Sequence, residues 1–454
     1  MLLKKNVVIP AISITFLVAW SFSGSVVSGL QSTFRASLVA ASSLFDIFLI
    51  ISVMTALLHS LRALEADKLM ITPFQKVMVN GHISYWILVV VTYLISLFFW
   101  PTPAVPLVGA ILIPAAIRAG LSPLGAGVAV ALAGQGMALS SDYVIQIAPT
   151  LSASPSNLDV LAIADQALIL SVITGITAIG LAYLFIRPSI QEPADAHLEN
   201  WEKESLEMGQ VEQVEAAAFP DSAQKKGKLF AIVVPLTFLV IVGYMVTAKI
   251  TGSGALQGGD GAALIGGSAF LLLIAASLTH KPKEALEQVS NYIIEGLLFA
   301  FRAMGVVLPI AGFFFLGNDE TASRILATEN APAFLFDLII AGEHLIPHSG
   351  ILAAFGMLII GMITGLDGSG FSGLPLTGAL AGPLGSTMGM DPVTLAAIGQ
   401  MGAIWVGGGT LIAWSSLVAV AGFAKVPVIE LARKNFIPVV IGLFVSTLVA
   451  ILFF

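Results

Sequence analysis

Six hydroxyl and amide side chains stand beside glycines and prolines in otherwise apolar stretches: Thr102, Gln135, Ser369, Ser372, Gln400 and Thr410. A helix that breaks inside a membrane offers free amide donors at one half and free carbonyls at the other. The first attract a carboxylate and the second a cation. Neutral hydroxyls and amides next to such amides suit a small carboxylate as ligand. Asp142 and Asp367 lie beside the same breaks. They fit sodium coordination or proton carriage, or, because Asp favours helix starts, a cap at the water edge. Three further charges, Asp46, Glu295 and Arg302, fall inside apolar runs, where a charge at the bilayer centre costs at least about 2.5–3.5 kcal/mol. Glu295 and Arg302 are two turns apart on one helix face. They read as structural ion pairs with other spans, or, for Arg302, as a counter-charge for an anion.

Elements that hold such residues must lie in lipid. Of 454 residues, 57% are apolar and 10% charged, with a mean hydropathy of +0.96. A soluble chain carries about 25% charged residues, so too few charges exist here to cover a soluble surface. Net charge is −7, and no basic face calls for nucleic acid. Cysteine is absent, which removes disulfides, thiolate metal sites and Cys nucleophiles. His344 and His348 have helical zinc spacing, but Pro347 between them favours a loop, so no metal site is expected. There is no Gly-x-x-x-x-Gly-Lys-Ser/Thr loop for ATP, no intramembrane Arg row for voltage sensing, and no Ser/His or Asp/Asp pair for an intramembrane enzyme. The chain is expected to be non-enzymatic and to need no cofactor, Na+ as a coupling ion excepted.

Apolar runs long enough to cross roughly 30 Å of hydrocarbon fall at about 6–28, 38–60, 83–100, 122–147, 161–186, 229–250, 262–279, 289–316, 349–366, 393–421 and 432–454. A doubtful twelfth covers 331–346. The first run follows Lys4 and Lys5 and is read as an uncleaved helix. Residues 187–228 carry 14 of the 47 Asp, Glu, Lys and Arg residues. They read as a connector, a solvated helix or an acidic strand, between a first transmembrane repeat at 1–186 and a segment at 229–454 holding two further spans and a second repeat. Lysine placement puts this linker in the cytoplasm, while overall orientation stays open; the protein is expected in the cell (inner) membrane.

Self-similarity supports the division. Shifted by 269 residues, Pro106–Pro123 matches Pro375–Pro392 at seven of eighteen positions, including Gly109 on Gly378 and three prolines. Further on, Gly134-Gln135 falls on Gly399-Gln400. Each copy reads as a span, a Pro/Gly segment (101–120, 367–389), a long span with a polar middle, and a last span. The prolines at 101, 103 and 106 and the glycines at 365–373 oppose continuous helix. Backbone that leaves the helix at membrane depth must be covered by protein or line a cavity, as a re-entrant hairpin does. Ala133–Asp142, Gly399–Gly402 and Gly407–Thr410 are expected to interrupt the spans that follow. The fold class is therefore an all-α polytopic membrane protein with two inverted-type repeats, each with a hairpin and a broken helix.

At Thr102–Pro123, Asp367–Gly389 and Gly399–Thr410 the chain resembles the ion transporter superfamily, which includes gluconate, lactate and citrate permeases and divalent-anion/sodium symporters. Where those symporters carry Ser-Asn-Thr or Ser-Asn-Pro at the hairpin tips, Pro101-Thr102-Pro103 and Gly368-Ser369-Gly370 stand here. The resemblance implies an elevator-like movement of the hairpin domain and often a homodimer. The expected function is secondary active transport of a small organic anion, coupled to H+ or Na+, with the substrate between hairpins and broken helices. Na+/H+ antiport is the alternative, and a non-transporting scaffold is disfavoured by polar breaks at membrane depth.

Overall fold

A computed structural model of the chain describes residues 8–207, 221–251, 260–305, 307–317, 319–334, 337, 349–366, 368, 370–413 and 415–454. Some side chains within these helices, Asp46, Thr102 and Arg302 among them, are outside the described set. The described residues form helices and no strand. In lipid, this satisfies every backbone polar group within its own segment.

The helices begin with α1 (Val8–Ser23), α2 (Val26–Ala63) and α3 (Ala66–Gln75). Next come α4 (Gly81–Phe99), α5 (Pro101–Arg118), α6 (Pro123–Ser141), α7 (Ile147–Ala153) and α8 (Val160–Ile186). The linker contributes α9 (Asp195–Glu207). Then follow α10 (Asp221–Thr251), α11 (Asp260–His280), α12 (Ala285–Met304), α13 (Val307–Phe314) and α14 (Asp319–Leu326). The chain ends with α15 (Gly350–Gly365), α16 (Leu374–Met388), α17 (Pro392–Gly407), α18 (Leu417–Ala424) and α19 (Val428–Phe453). Among the described residues, five helical stretches, α4, α6, α8, α19 and Ala263–His280 of α11, are long and apolar enough to cross a membrane.

Polar residues set the helix starts. Asn80, Ser122, Asp159, Ser349 and Asp391 each accept a hydrogen bond from a backbone N–H in the first turn of α4, α6, α8, α15 and α17. Pro123 and Pro392, equivalent under the 269-residue shift, both occupy the opening turn of a helix, where a missing N–H costs nothing.

Buried apolar side chains form two clusters. One joins α4–α6, α8, α15 and α17–α19, the helices of the two similar segments. The other is organised along α2, against which α1 and α11–α14 pack, and reaches Phe99, Trp100, Phe371 and Leu374. Within the first, α15 and α17 approach closely. A Cβ on Gly361 would stand 2.3 Å from the Gly399 carbonyl, and one on Gly407 2.5 Å from the Gly365 carbonyl. Small residues four apart allow this contact between helices in lipid.

Helices α6 and α17, equivalent under the shift, run in opposite directions along α8. The start of α6 lies beside the last residue of α8, since a Cβ on Gly125 would meet Ile186 at 2.9 Å. The start of α17 lies beside the first turns of α8, where Gln166 donates to Asp391 at 3.2 Å. Cross-packing is reciprocal as well. Helix α5 packs on α18, with Gly109 against Phe423, while α16 packs on α7, with its shifted equivalent Gly378 against the Ser152 carbonyl. A two-fold relation between inverted copies would give these contacts.

Several boundaries differ from those read in the sequence. The break expected through Pro101–Pro106 is confined to Trp100, at φ 56°. Helix α5 begins at once at Pro101, because a first turn needs no amide from Pro101 or Pro103. Thus α4 and α5 are two full helices packed side by side, with Gly81 and Gly120 adjacent at their open end. Gly399–Gly402 does not interrupt α17; Gly402 admits the backbone of α15, and Gly399 admits Thr377 of α16. The run 289–316 divides into α12 and α13. Most of 331–346, and both His344 and His348, lie outside the described residues.

Candidate functional site

The turns between α4 and α5 and between α15 and α16 meet. The rings of Trp100 and Phe371 stand 5.2 Å apart. Gly370, at φ 76°, lies so close to the end of α17 that a Cβ would come within 2.7 Å of the Gly408 amide nitrogen. Both long helices deviate from α geometry beside this meeting point. Helix α6 widens to a π-helix over Ala131–Ala138, and Asp142 then ends it in the left-handed region at φ 37°. Such widening recurs at functional sites. Helix α17 ends at Gly407, and the chain passes non-helically to α18. The turn at Gly409 has φ 127°, and a Cβ there would stand 2.5 Å from Ser416 Oγ and 2.9 Å from Gln135 Cβ. Only glycine fits.

The two glutamines cross-link the segments reciprocally. Gln400 of α17 accepts from Ser152 Oγ of α7 at 3.0 Å and donates to the Ser140 carbonyl of α6 at 2.9 Å. Gln135 of α6 accepts from Ser416 Oγ at 3.0 Å. Each thus reaches the segment that follows the other's helix. Both are fully buried. They differ in one respect: both polar ends of Gln400 are paired, whereas Gln135 Nε2 has no partner.

Other buried polar atoms nearby are unpaired too. They are the indole Nε1 of Trp405, Asn435 Oδ1, and the hydroxyls of Thr92 and Ser96. The Trp405 ring lies against Gly136, and Thr92 and Ser96 lie against Gly134, so they flank Gln135 on both sides along the π-helix. A buried donor without a partner costs about 1–3 kcal/mol. Gln146, in the left-handed region, has both side-chain atoms unpaired. Sequence reading passed over Trp405, Ser152, Ser416 and Asn435. A lone Asn in an apolar span was the available signal for Asn435; Trp405 gave none, because its burial is a packing outcome.

The remaining expected residues separate. The Thr410 hydroxyl donates to the Trp405 carbonyl, and the Thr410 carbonyl accepts from Asn435 Nδ2 at 2.8 Å; this pins the α17–α18 turn. Ser372 is buried in the α15–α16 turn. Asp142 is 8% exposed, and its Oδ2 accepts from Ala148 N at 2.7 Å, at the start of α7. Thr102 lies in the first turn of α5, and its side chain, like that of Arg302 on α12, is outside the described set. Asp367 and Ser369 lie outside the described residues altogether. Glu295 approaches His59 Nδ1 at 2.6 Å, joining α12 to α2, which is a structural role. No cluster of three or more His, Cys, Asp or Glu residues able to hold a metal occurs among the described residues.

The described first part of the linker, 187–207, is docked rather than free. Asp195 pairs with Arg118 at 2.5 Å, and Gln191 N donates to the Gly120 carbonyl at 2.9 Å. Trp201 is buried, donates to the Ala424 carbonyl at 3.0 Å, and lies under Lys425 Nζ at 4.0 Å from its ring. Helix α9 therefore straps the end of α5 to the end of α18.

No protein-family model matches the chain. Its fold is similar to that of the YdaH transporter of Alcanivorax borkumensis, with a TM-score of 0.56 and 14% identity over 93% of this chain and 88% of that one. In sequence it is 38% identical over 455 residues to a Bacillus subtilis (strain 168) protein described as the uncharacterized membrane protein YhfA, covering 100% of this chain and 95% of the relative. The chain belongs to the same family of membrane proteins as YhfA.

Proposed function

We propose that this protein is a secondary active transporter of a small organic anion, a carboxylate, in the cell (inner) membrane, coupled to H+ or Na+. The observation that carries the reading is Gln135. Its fully buried amide keeps an unpaired polar atom inside a π-helix, beside the glycine turn that ends α17. Evolved cores pair such groups, so an unpaired one at membrane depth fits a place where a ligand completes the set. The fold shared with a transporter supports the same reading, as does the resemblance to the ion transporter superfamily. The substrate lies between the two turns and the two broken helices, with Gln135 and Ser372 in contact and Thr102 and Ser369 contributed by the turns. Gln400 and Thr410 hold the frame. Asp142 and Asp367 carry the coupling ion. The separate cluster along α2 supports an elevator-like movement of the repeat helices against it.

Uptake into proteoliposomes tests this. A radiolabelled carboxylate panel is offered under imposed proton and sodium gradients. Accumulation of one carboxylate under either gradient is expected. The alternative, Na+/H+ antiport, draws on the buried Asp142 carboxylate. If no carboxylate accumulates while internal pH responds to external sodium, antiport replaces symport.

A further inference from the structure

We propose that the cleft between the end of α8 and the start of α19 is a binding site for the headgroup of an anionic phospholipid. The two helices are antiparallel and touch closely further along. Thr174 Oγ1 donates to Ser446 Oγ at 2.8 Å, and a Cβ on Gly442 would stand 2.7 Å from the Thr174 carbonyl. Toward the linker they part, leaving a cleft of about 440 Å³ lined by Leu124, Phe185, Glu430, Arg433, Lys434 and Ile437.

The lining divides by chemistry. Glu430, Arg433, Lys434 and Ile437 recur at three- and four-residue intervals, so they share one face of α19. Arg433 and Lys434 are exposed, and neither makes an ion pair or hydrogen bond among the described residues. Glu430 is the one acid in the lining, and Arg187, exposed, follows α8 two residues after Phe185. The balance at the mouth is positive. Below it the wall is apolar: Phe185 is 52% and Ile437 54% exposed, and Phe436, Ile441 and Phe444 continue the outward surface of α19. A soluble anion would use the cations and leave that wall uncovered. An anionic phospholipid uses both, with its phosphate on Arg433 and Lys434 and an acyl chain along Phe185 and Ile437. Basic pockets between membrane helices take such headgroups, and arginine adds a two-pronged phosphate contact that lysine lacks. The cleft lies at the end of α8 that feeds the linker, away from the glutamine pair, so it stands independently of the transport reading.

The experiment is native mass spectrometry of the purified full chain, titrated with phosphatidylglycerol or with phosphatidylcholine of the same acyl chains. One phosphatidylglycerol is expected to be retained at concentrations where phosphatidylcholine is lost. The double variant Arg433→Gln/Lys434→Gln, at exposed positions, should fold normally by its thermal unfolding midpoint and lose that retention by about tenfold or more. Glu430→Gln should strengthen it. Equal retention of both lipids, or unchanged retention in the double variant, overturns the proposal. So does displacement of the lipid by millimolar inorganic phosphate, which would mark a soluble-anion site.

Discussion

Gln400 and Ser152, 248 residues apart in the chain, share a hydrogen bond of 3.0 Å at the centre of the fold. Its counterpart joins Gln135 to Ser416 across 281 residues. Gln400 is satisfied at both ends and Gln135 at one, so equivalent positions divide into a fastener and a contact. Gln400→Ala leaves the Ser152 hydroxyl and the Ser140 carbonyl unpaired. It should destabilise the protein by about 2–4 kcal/mol, read as a lower thermal unfolding midpoint in detergent. Gln135→Ala removes a group already half unpaired. It should cost less stability than Gln400→Ala but more uptake. The reverse order would assign Gln135 to the frame.

Gly409 has no tolerated substitute. At φ 127°, and with Ser416 and Gln135 where a Cβ would go, Gly409→Ala combines backbone strain with a clash. A loss of about 2–4 kcal/mol is expected, with uptake abolished even in the protein that remains folded. Gly422→Ala is the control: open space surrounds Gly422 inside α18, and alanine there should raise stability by up to about 1 kcal/mol. Similar effects of the two variants on purified yield and unfolding midpoint would contradict the geometry.

Asp142 separates capping from ion coupling. An asparagine keeps an acceptor for Ala148 N but cannot carry the charge. Asp142→Asn should therefore retain stability within about 1 kcal/mol while uptake loses its dependence on the driving gradient. Unchanged sodium and proton dependence in reconstituted vesicles would leave Asp142 as a cap alone.

The docked linker gives a further expectation. Trp201→Ala removes the bond to Ala424 and the cation–π contact with Lys425. Hydrogen exchange across α9 should accelerate at least tenfold, while exchange in α8 stays unchanged. Lys425→Met keeps the Trp201 bond to Ala424 and removes the cation–π contact, worth about 0.5–2 kcal/mol, so its effect on α9 should be smaller. Equal protection of α9 in wild type and Trp201→Ala would remove the strap.

Much of this arrangement was legible in the sequence. Lipid as solvent follows from charge scarcity, and the contacts of the two segments are consistent with the shifted match of Pro106–Pro123. That match pairs Gly109 with Gly378, and the structure finds each against the other segment. Gly407–Thr410 suggests a break, because no helix interior tolerates three successive glycines well, and α17 does end there. Gly399–Gly402 suggests the same and is helical: glycine both weakens a helix and admits a neighbour, and the sequence holds no record of α15 and α16 lying alongside. The same limit applies to Trp201. A tryptophan amid acidic residues reads as part of a solvated linker until Ala424 and Lys425, more than two hundred positions away, are seen beside it. Which polar groups are left unpaired, Gln135 and Trp405 above all, depends on neighbours and not on residue type.

The reciprocal glutamine bonds have a consequence for biosynthesis. At about 5–20 residues per second, the ribosome needs roughly 15–50 s to proceed from Gln135 to Gln400. Over that interval the first broken helix sits in the bilayer without the segment that holds Ser416. Its exposed amide and glycine-rich backbone have no native partner, and neither segment can complete its interior before the other has been inserted. Assembly of the core is therefore a late, chain-wide event that follows translation of both segments. A ribosome stalled before residue 400 should release a protein whose first segment is membrane-inserted yet sensitive to proteolysis.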